Sequence, residues 1–428
     1  MAAGETKAEN TSPRSPEAEL GIKVEDLWEV LEPQLTPTEK LNSCFQDLPV
    51  SSFPVPPSHV IEIPSDTSLA ETVEILSRHK IPSAPVRDAD APDDASWMDR
   101  YIGIVEFAGV AMWVLNQLDA SANGKVGSTL TRMDSFTYKK QANGVAENGL
   151  TSATSQSTDD GSTSVAGSFF ETLTSSEFYK NTKVRDISGS FRWAPFLALQ
   201  TSDSFLTMLL LLSKYRVKTL PVVDSDNGML VNIITQSAVV HMLAECAGLD
   251  WFENWGDKAL DELGLPNTKP CDLLKVKEDE PVLKAFLLMR KKGIGGLPVV
   301  DASGKYAVGN ISIRDVQYLL TAPEIYKDYR TITVRNFLTE VQNYLIKQKA
   351  DSPLLHGLIT CKRGDTMKDV ILKLDSKKIH RIYVTDESGL LEGVITLRDI
   401  ISKLVYEPSN YFGDFFDGVL PLPEDSRV

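Results

Sequence analysis

Two short stretches of the chain place a hydroxyl and a carboxylate where a predicted strand meets a predicted helix. They are Ser312 with Asp315 in NISIRDVQYLL, and Thr396 with Asp399 in VITLRDIISKL. A hydroxyl three residues before an acid is typical of a helix N-cap, because its oxygen accepts a backbone N–H of the first turn. The same groups, together with the helix N-terminal amides, are also suited to holding a polar ligand. Capping and ligand binding are both open at this point.

The two stretches belong to a unit that recurs four times. Each copy carries a tetrapeptide that ends in Asp, and a second Asp stands 21 or 22 residues upstream of it. The pairs are Asp66 with Asp88, Asp203 with Asp224, Asp279 with Asp301, and Asp365 with Asp386. Apolar residues between the anchors follow a helical period, and two apolar strands flank the second anchor. Each unit therefore reads strand, helix, strand, strand, helix.

Such a unit leaves an apolar sheet face uncovered, so we expect the four units to form two pairs in an α+β fold. The segments between the units differ in composition from them. The predicted division is 1–20 disordered, 21–56 an N-terminal amphipathic segment, 57–119 repeat 1, 120–168 a flexible insertion, 169–249 repeat 2, 250–322 repeat 3, 323–406 repeat 4 and 407–428 a C-terminal tail.

Composition excludes several classes of function. A formal net charge of −15 argues against non-specific binding to nucleic acid or to anionic membranes. The four cysteines form no CxxC pair, and no HExxH occurs, so no metal site is predicted. We find no apolar run long enough to span a bilayer and no signal peptide, and we expect a cytoplasmic protein, with nuclear entry undecided.

No catalytic motif is present. The chain has no GxxxxGK[ST] phosphate loop and no kinase HRD or DFG set. The glycine-rich KKGIGG falls where a helix turns into a strand, and tight-turn geometry explains it better than phosphate binding. No catalytic site therefore competes with ligand binding at the two motifs.

The four units resemble cystathionine-β-synthase (CBS) domains, whose tandem pairs are called Bateman modules. Four of them in one chain are similar to the gamma-type regulatory subunits of AMP-activated and sucrose-nonfermenting-related protein kinases. The flanking stretches SPEAELGIKVEDLWE, LTSSEFYKNTKVRDISGSFRWAPFLALQ and YFGDFFDGVLPLPE resemble the plant branch of that family. The resemblance implies four CBS repeats in two Bateman modules.

The resemblance also implies a function. The chain would be the non-catalytic member of an energy-sensing Ser/Thr kinase heterotrimer, joined to a catalytic alpha subunit and a scaffolding beta subunit. An adenine nucleotide (AMP, ADP or ATP) would bind between repeats 3 and 4. The alternative is a structural scaffold whose clefts do not sense nucleotides, and the departures of repeats 1 and 2 from the family pattern favour it.

The family motif places the ribose on the acid of the Ser/Thr-x-x-Asp sequence. Asp315 and Asp399 would then hold ribose, and Ser312 and Thr396 would lie near phosphate. Repeats 1 and 2 have Gly109 and Ala238 at the acid position, so no ribose contact is expected there.

Phosphate needs cations, and the resemblance assigns them too. The pair His380 and Arg381 stands where the family carries its phosphate-binding residues, and Lys218 takes the equivalent place in repeat 2. The lone His380 has an ordinary alternative as a solvated or capping residue. Arg314 and Arg398 precede the two acids and are weaker candidates, since surface ion pairing explains them as well.

Overall fold

A computed structural model gives the structure of the protein. It describes residues 14–122 and 180–413, apart from short gaps at 32–33, 57–58, 80, 93, 191–193, 195, 216, 225, 322–324, 326–328 and 351.

The described helices begin with two that precede the first repeat and are otherwise distributed over the four repeats. They are α1 Pro16–Val30, α2 Pro37–Asp47, α3 Leu69–Arg78, α4 Trp97–Arg100, α5 Phe107–Ala122, α6 Phe205–Lys214, α7 Gln236–Glu245, α8 Asp250–Gly256, α9 Val282–Lys292, α10 Tyr318–Thr321, α11 Val334–Lys347, α12 Met367–Ser376 and α13 Leu397–Leu404. Short 3-10 helices span Val50–Ser52, Val184–Ile187, Ile313–Gln317 and Pro353–His356.

The strands form four three-stranded sheets, one in each repeat. They are β1 Ile63–Pro64, β2 Ser83–Arg87 and β3 Tyr101–Glu106; β4 Leu199–Gln200, β5 Thr219–Val223 and β6 Leu230–Thr235; β7 Val276–Lys277, β8 Gly296–Val300 and β9 Ala307–Ser312; β10 Thr360–Cys361, β11 Arg381–Thr385 and β12 Leu391–Thr396. In every sheet the first strand runs parallel to the second and the third antiparallel to it. The predicted α+β class and the fourfold unit are confirmed.

The second Asp of each unit shapes the turn between the antiparallel strands. In repeat 3, Oδ1 of Asp301 accepts hydrogen bonds from the backbone N–H groups of Lys305 and Tyr306, both at 3.1 Å. Asp386 does the same for Ser388 and Leu390 in repeat 4. The Asp that identifies the repeat in the sequence therefore stabilises the turn between the two strands.

The repeats pair through their sheets, 1 with 2 and 3 with 4. Tyr101, Val223 and Leu230 are buried between the first two sheets, whereas Val300 and Tyr383 lie between the other two. The helices pair differently. Those of repeats 1 and 3 share one core, and those of repeats 2 and 4 share another, together with α1, α2 and α8. The two Bateman modules are therefore joined through their helices.

The two repeats of a module also exchange their leading segments, which are the stretches of chain that precede each repeat. The segment before a repeat forms its backbone hydrogen bonds with the partner repeat, at the turn that begins the partner's first helix. The bridges are Pro49 with Ser204, Ser68 with Lys183, Ala259 with Thr366, and Pro281 with Thr333. The exchange is reciprocal in both modules, which explains why the pairing follows chain order.

Two helices pack across boundaries that were drawn from the sequence. The boundary at 323 gives α11 to repeat 4, yet Phe337 on α11 packs against Phe286 of repeat 3, with ring centroids 5.9 Å apart. The boundary at 250 gives α8 to repeat 3, yet Trp251 on α8 meets Phe45 on α2 at 6.2 Å. A leading helix buries its apolar face wherever a complementary face is available, and sequence order does not reveal that neighbour.

The N-terminal boundary is also corrected. Residues 1–20 were expected to be disordered, but α1 begins at Pro16, capped by Ser15, whose Oγ accepts the N–H of Ala18 at 3.1 Å. Leu20 and Val24 are buried against the module core, which holds this helix in place. Residues 1–13, most of the predicted insertion at 120–168, the start of repeat 2 at 169–179 and the tail from 414 lie outside the described residues.

The described part of the tail packs on the N-terminal half of the chain. The hydroxyl of Tyr411 lies within 3.0 Å of Ser204 Oγ and donates to Oε1 of Gln46 on α2 at 2.8 Å. Phe412 is buried against Tyr215, with centroids 5.2 Å apart. Helix α2 and the described part of the tail therefore meet on repeat 2.

Candidate functional site

The strand registers place four equivalent positions at one kind of junction. The first residue of the second strand always faces the last residue of the third strand, just before a helix begins. The facing pairs are Ser83 with Glu106, Thr219 with Thr235, Gly296 with Ser312, and Arg381 with Thr396. Three residues after each third strand stand Gly109, Ala238, Asp315 and Asp399, so the acids belong to repeats 3 and 4.

A cavity of about 1600 Å³ opens between the modules and is lined by residues from all four repeats. Its described lining contains seven Lys or Arg side chains and His380, against four acids. The cations are Lys218, Lys292, Arg314, Arg335, Lys378, Arg381 and Arg398, and the acids are Glu106, Asp272, Glu278 and Asp315. An excess of positive charge in a chain of net charge −15 makes this cavity suited to an anionic ligand.

Asp315 is the buried acid of the cavity. Its residue is 6% exposed, and its Oδ2 accepts the backbone N–H of Ser312 at 2.7 Å, at the start of the 3-10 helix Ile313–Gln317. Burial raises the pKa of the Asp315 carboxyl from 3.8 to about 6, although the Ser312 hydrogen bond and the guanidinium of Arg381 oppose the rise. A carboxylate so placed is ionised at neutral pH and has few partners of its own.

Arg381 is the cation with the largest effect on Asp315, and it comes from the other repeat of the module. Its Nη1 donates to Oδ1 of Asn310 at 3.3 Å, and the hydroxyl of Tyr383 donates to the same oxygen at 2.6 Å. Burial raises the pKa of Tyr383, so its hydroxyl stays protonated and acts as a donor. Asn310 therefore fixes the direction of the guanidinium.

Glycine at position 296 makes room for that guanidinium. A Cβ built on Gly296 would lie 2.0 Å from Nη1 of Arg381, and one on Gly295 would lie 3.2 Å from Nη2. The KKGIGG segment, expected to be a tight turn alone, therefore has two functions. Gly293 ends α9 in the left-handed conformation at φ 65°, and the next two glycines accommodate Arg381.

His380 joins the site to the other module. Its Nε2 lies 3.1 Å from Oγ of Ser237 on α7 of repeat 2. Lys218, also from repeat 2, lines the same cavity with an exposed side chain. Ser312 and Thr396 line the cavity as well, and their hydroxyls cap the segments that follow them, accepting from Arg314 and Asp399.

Asp399 is not brought together with Asp315. It is absent from the cavity lining that includes its neighbours Thr396 and Arg398. Its Oδ2 accepts the hydroxyl of Thr396 at 2.6 Å, and its Oδ1 accepts Nδ2 of Asn267 at 3.1 Å. The structure therefore does not bring Asp399 to the cavity that Asp315 lines, and the predicted contact of Asp399 with ribose stays a prediction.

The two weaker candidates have different environments. Arg314 is exposed at the rim of the cavity. Arg398 is half-buried, and its Nε donates to the carbonyl of Ser213 at the end of α6, at 2.7 Å. Since that carbonyl has no partner within its helix, Arg398 ties repeat 4 to repeat 2.

Four residues of the site were missed by the sequence motifs: Asn310, Tyr383, Gly296 and Ser237. Only Gly296 had a visible signal, in the Gly-Gly pair at the start of a strand. The other three are ordinary polar or aromatic residues whose role depends on what lies opposite them. Among the described residues, no group of His, Cys, Asp and Glu is arranged to hold a metal ion, and no helix is long and apolar enough to cross a membrane.

Comparison with known proteins bears on this architecture. The CBS domain model matches residues 184–245, 266–321 and 354–406, which fall in repeats 2, 3 and 4. Repeat 1 has the same strand order and register, although it is not matched. A Methanocaldococcus jannaschii protein, described as a proposed archaeal homolog of g-AMPK, superimposes with a TM-score of 0.50 at 15% identity, over 81% of this chain and 96% of its own.

The relatives by sequence are kinase subunits. The chain is 58% identical to the SNF1-related protein kinase regulatory subunit gamma-1 of Arabidopsis thaliana, over 97% of this chain and 95% of that protein. It is 40% identical to the gamma-1-like subunit of the same plant, over 87% and 89%. Human 5'-AMP-activated protein kinase subunit gamma-3 is 27% identical over 52% of this chain and 42% of its own length. The chain therefore belongs to the gamma-type regulatory subunits of SNF1-related protein kinases, and it is a regulatory subunit and not the catalyst.

Proposed function

We propose that this regulatory subunit binds an adenine nucleotide in the cavity between the modules, with its ribose on Asp315. The observation that carries the proposal is a buried carboxylate beside Arg381 in a cavity lined mainly by cations. A carboxylate accepts hydrogen bonds from two vicinal hydroxyls, and a guanidinium grips phosphate at two points. A sugar phosphate with an adjacent diol uses both groups at once.

The residues fit the parts of such a ligand. Asp315 would hold the ribose hydroxyls, whereas Arg381, His380 and Lys218 would face phosphate. Ser312 and the amides at the start of the 3-10 helix would add donors to the same end. Asn310 and Tyr383 do not need to touch the ligand, since they hold Arg381 in place.

The contacts between modules support a route from the site to the kinase. Ser237 and His241 lie one turn apart on α7, where they contact His380 and Asp375 of repeat 4 at 3.1 Å each. A phosphate drawn to His380 competes with Ser237 for the imidazole. A ligand that favours one arrangement of the modules shifts the equilibrium by its difference in affinity for the two. We propose that the catalytic alpha and scaffolding beta subunits of a heterotrimer sense that shift.

Calorimetric titration of the purified chain with AMP, ADP and ATP tests the proposal. Binding by the wild type and its loss in Asp315→Asn would support it, and Gly364→Ala is a matched control because a Cβ there meets nothing within 4 Å. Absence of heat with all three nucleotides, at concentrations up to the millimolar range, would remove the sensing function.

A second function is assembly without sensing, which Gly109 and Ala238 favour, because half of the junctions lack the acid. It predicts that kinase and beta subunits are captured equally by wild type and Asp315→Asn, and that kinase activity of the complex is the same with either variant at any nucleotide concentration. If nucleotide changes the kinase activity only in complexes that contain the wild-type chain, the result would favour nucleotide sensing over assembly alone.

A further inference from the structure

Both oxygens of the Asp399 carboxylate are occupied by the chain itself. Oδ2 accepts the backbone N–H of Thr396 at 2.8 Å and its hydroxyl at 2.6 Å. Oδ1 accepts the side-chain amide of Asn267 at 3.1 Å. Asp315, by comparison, accepts from Ser312 alone among the hydrogen bonds described. The amide of Asn267 thus takes the place that a sugar hydroxyl would need.

The segment that carries Asn267 is fixed against repeat 4. Leu265 is buried, and its N–H donates to the carbonyl of Leu260 at 2.8 Å. The ring of Pro266 lies so close to β12 that a Cβ on Gly393 would be 2.2 Å from its Cγ. Asn267 is the next residue, so this packing positions its backbone beside repeat 4, from where its exposed side chain reaches Asp399.

The cations that accompany Asp315 have no equivalent at Asp399. Arg381, which begins the second strand of repeat 4 and follows His380, is the cation that acts most strongly on Asp315 of repeat 3. The equivalent positions of repeat 3 are Gly295 and Gly296, which carry no charge. A phosphate near Asp399 would therefore lack the pair of donors that the other side provides.

We infer that Asn267 is a specificity-determining residue that prevents Asp399 from binding ribose, so that the module of repeats 3 and 4 takes one nucleoside, at Asp315. The inference rests on the proposed function. In this interpretation Asp399 caps its helix and accepts a hydrogen bond from Asn267. The side-chain amide of Asn267 then sets how many nucleosides the module binds.

Adenosine is the sharpest probe because it carries the ribose and no phosphate. Equilibrium titration should give one adenosine per wild-type chain. Asp399→Asn should change its Kd less than about twofold, since hydrogen bonds already satisfied internally contribute nothing to the ligand. Asn267→Ala frees Oδ1 of Asp399 and should raise the stoichiometry to two.

Asn254→Ala is the matched control, because the amide of Asn254 donates to a backbone carbonyl within α8 and not to Asp399. It should bind one adenosine. The double variant Asn267→Ala with Asp399→Asn should return to one, which identifies the added site. Circular dichroism and the melting temperature show whether each variant is folded, and Asn267→Gly serves in place of Asn267→Ala if the latter is not.

Two outcomes overturn the inference while leaving the proposed function intact. One is two adenosines per wild-type chain, one of them lost in Asp399→Asn. The other is a single adenosine in both folded Asn267 variants. If the wild type binds neither adenosine nor AMP, the proposed function itself fails, and the inference falls with it.

Discussion

Asp315 and Asp399 occupy the same position in the same motif, but they differ in burial and in the groups that face them from the other repeat. Asp315 is buried, faces the cavity between the modules and has Arg381 beside it. Asp399 is half-buried and is held by Thr396 and Asn267. A repeated motif therefore reproduces the local turn faithfully and leaves its use to the facing repeat. In a fold built from paired repeats, each site is therefore formed by both repeats, and neither repeat defines it alone.

The largest expected difference is in the affinity for AMP when each of the two acids is replaced by Asn in turn. Asp315→Asn should weaken binding of AMP by about 10- to 100-fold, because hydrogen bonds to a charged group contribute about 1.5–3 kcal/mol and each 1.4 kcal/mol is about tenfold. Asp399→Asn is the comparison and should leave the Kd nearly unchanged. Calorimetry measures both. Equal losses in the two variants would erase the distinction.

The pH dependence of binding should follow Asp315. Its pKa is raised to about 6, so the carboxylate that accepts ribose hydroxyls is present above pH 6 and is lost as the pH falls through that value. At about one unit below the pKa the affinity for adenosine should be about tenfold weaker. The free energy of unfolding of the ligand-free chain should change in the opposite direction. Because the pKa of Asp315 is higher in the folded state, protonation should stabilise the folded state as the pH falls from 6 to 3.8.

Titrations with adenosine between pH 5 and 8 measure this effect, with Asp315→Asn as the control that should show no such step. A step that persists in Asp315→Asn would assign the titration to another group.

The space at Gly296 should matter for phosphate and not for ribose. Gly296→Ala places a Cβ 2.0 Å from Nη1 of Arg381, and the flexible guanidinium must move away. We expect AMP to bind about five- to tenfold more weakly, with little change for adenosine, since the lost interaction is a charge-assisted one. Gly364→Ala is the control. A variant that loses both ligands equally would show that the glycine supports the fold and not Arg381.

The smallest expected effect is at Lys218, the exposed cation from the other module. Lys218→Ala should weaken ATP binding by about two- to threefold at low salt and less at about 0.5 M salt, because exposed charges act at long range and are screened. Lys377→Ala, an exposed lysine outside the cavity lining, is the comparison. A salt-independent loss would indicate a direct contact.

Much of the fold is readable in the sequence because it is local. The Asp spacing gave the four units, since Asp301 and Asp386 each bond to backbone within five residues of themselves. The Ser-x-x-Asp and Thr-x-x-Asp motifs gave the caps of the segments that begin at Ile313 and Leu397 for the same reason. The resemblance of the four units and their flanking stretches to gamma-type subunits predicted the class of protein.

The sequence is therefore sufficient to predict the repeated unit, the number of its copies and the positions of the two acids. Tertiary structure alone decided what those acids face. The partner of Asp399 stands 132 residues away, and Ser237 and His380 are 143 residues apart. The exchange of leading segments brings Asn267 to repeat 4, whereas the shared helical core of repeats 2 and 4 brings Ser237 to His380. Both depend on which apolar faces fit together across repeats, and no spacing within one repeat encodes that fit.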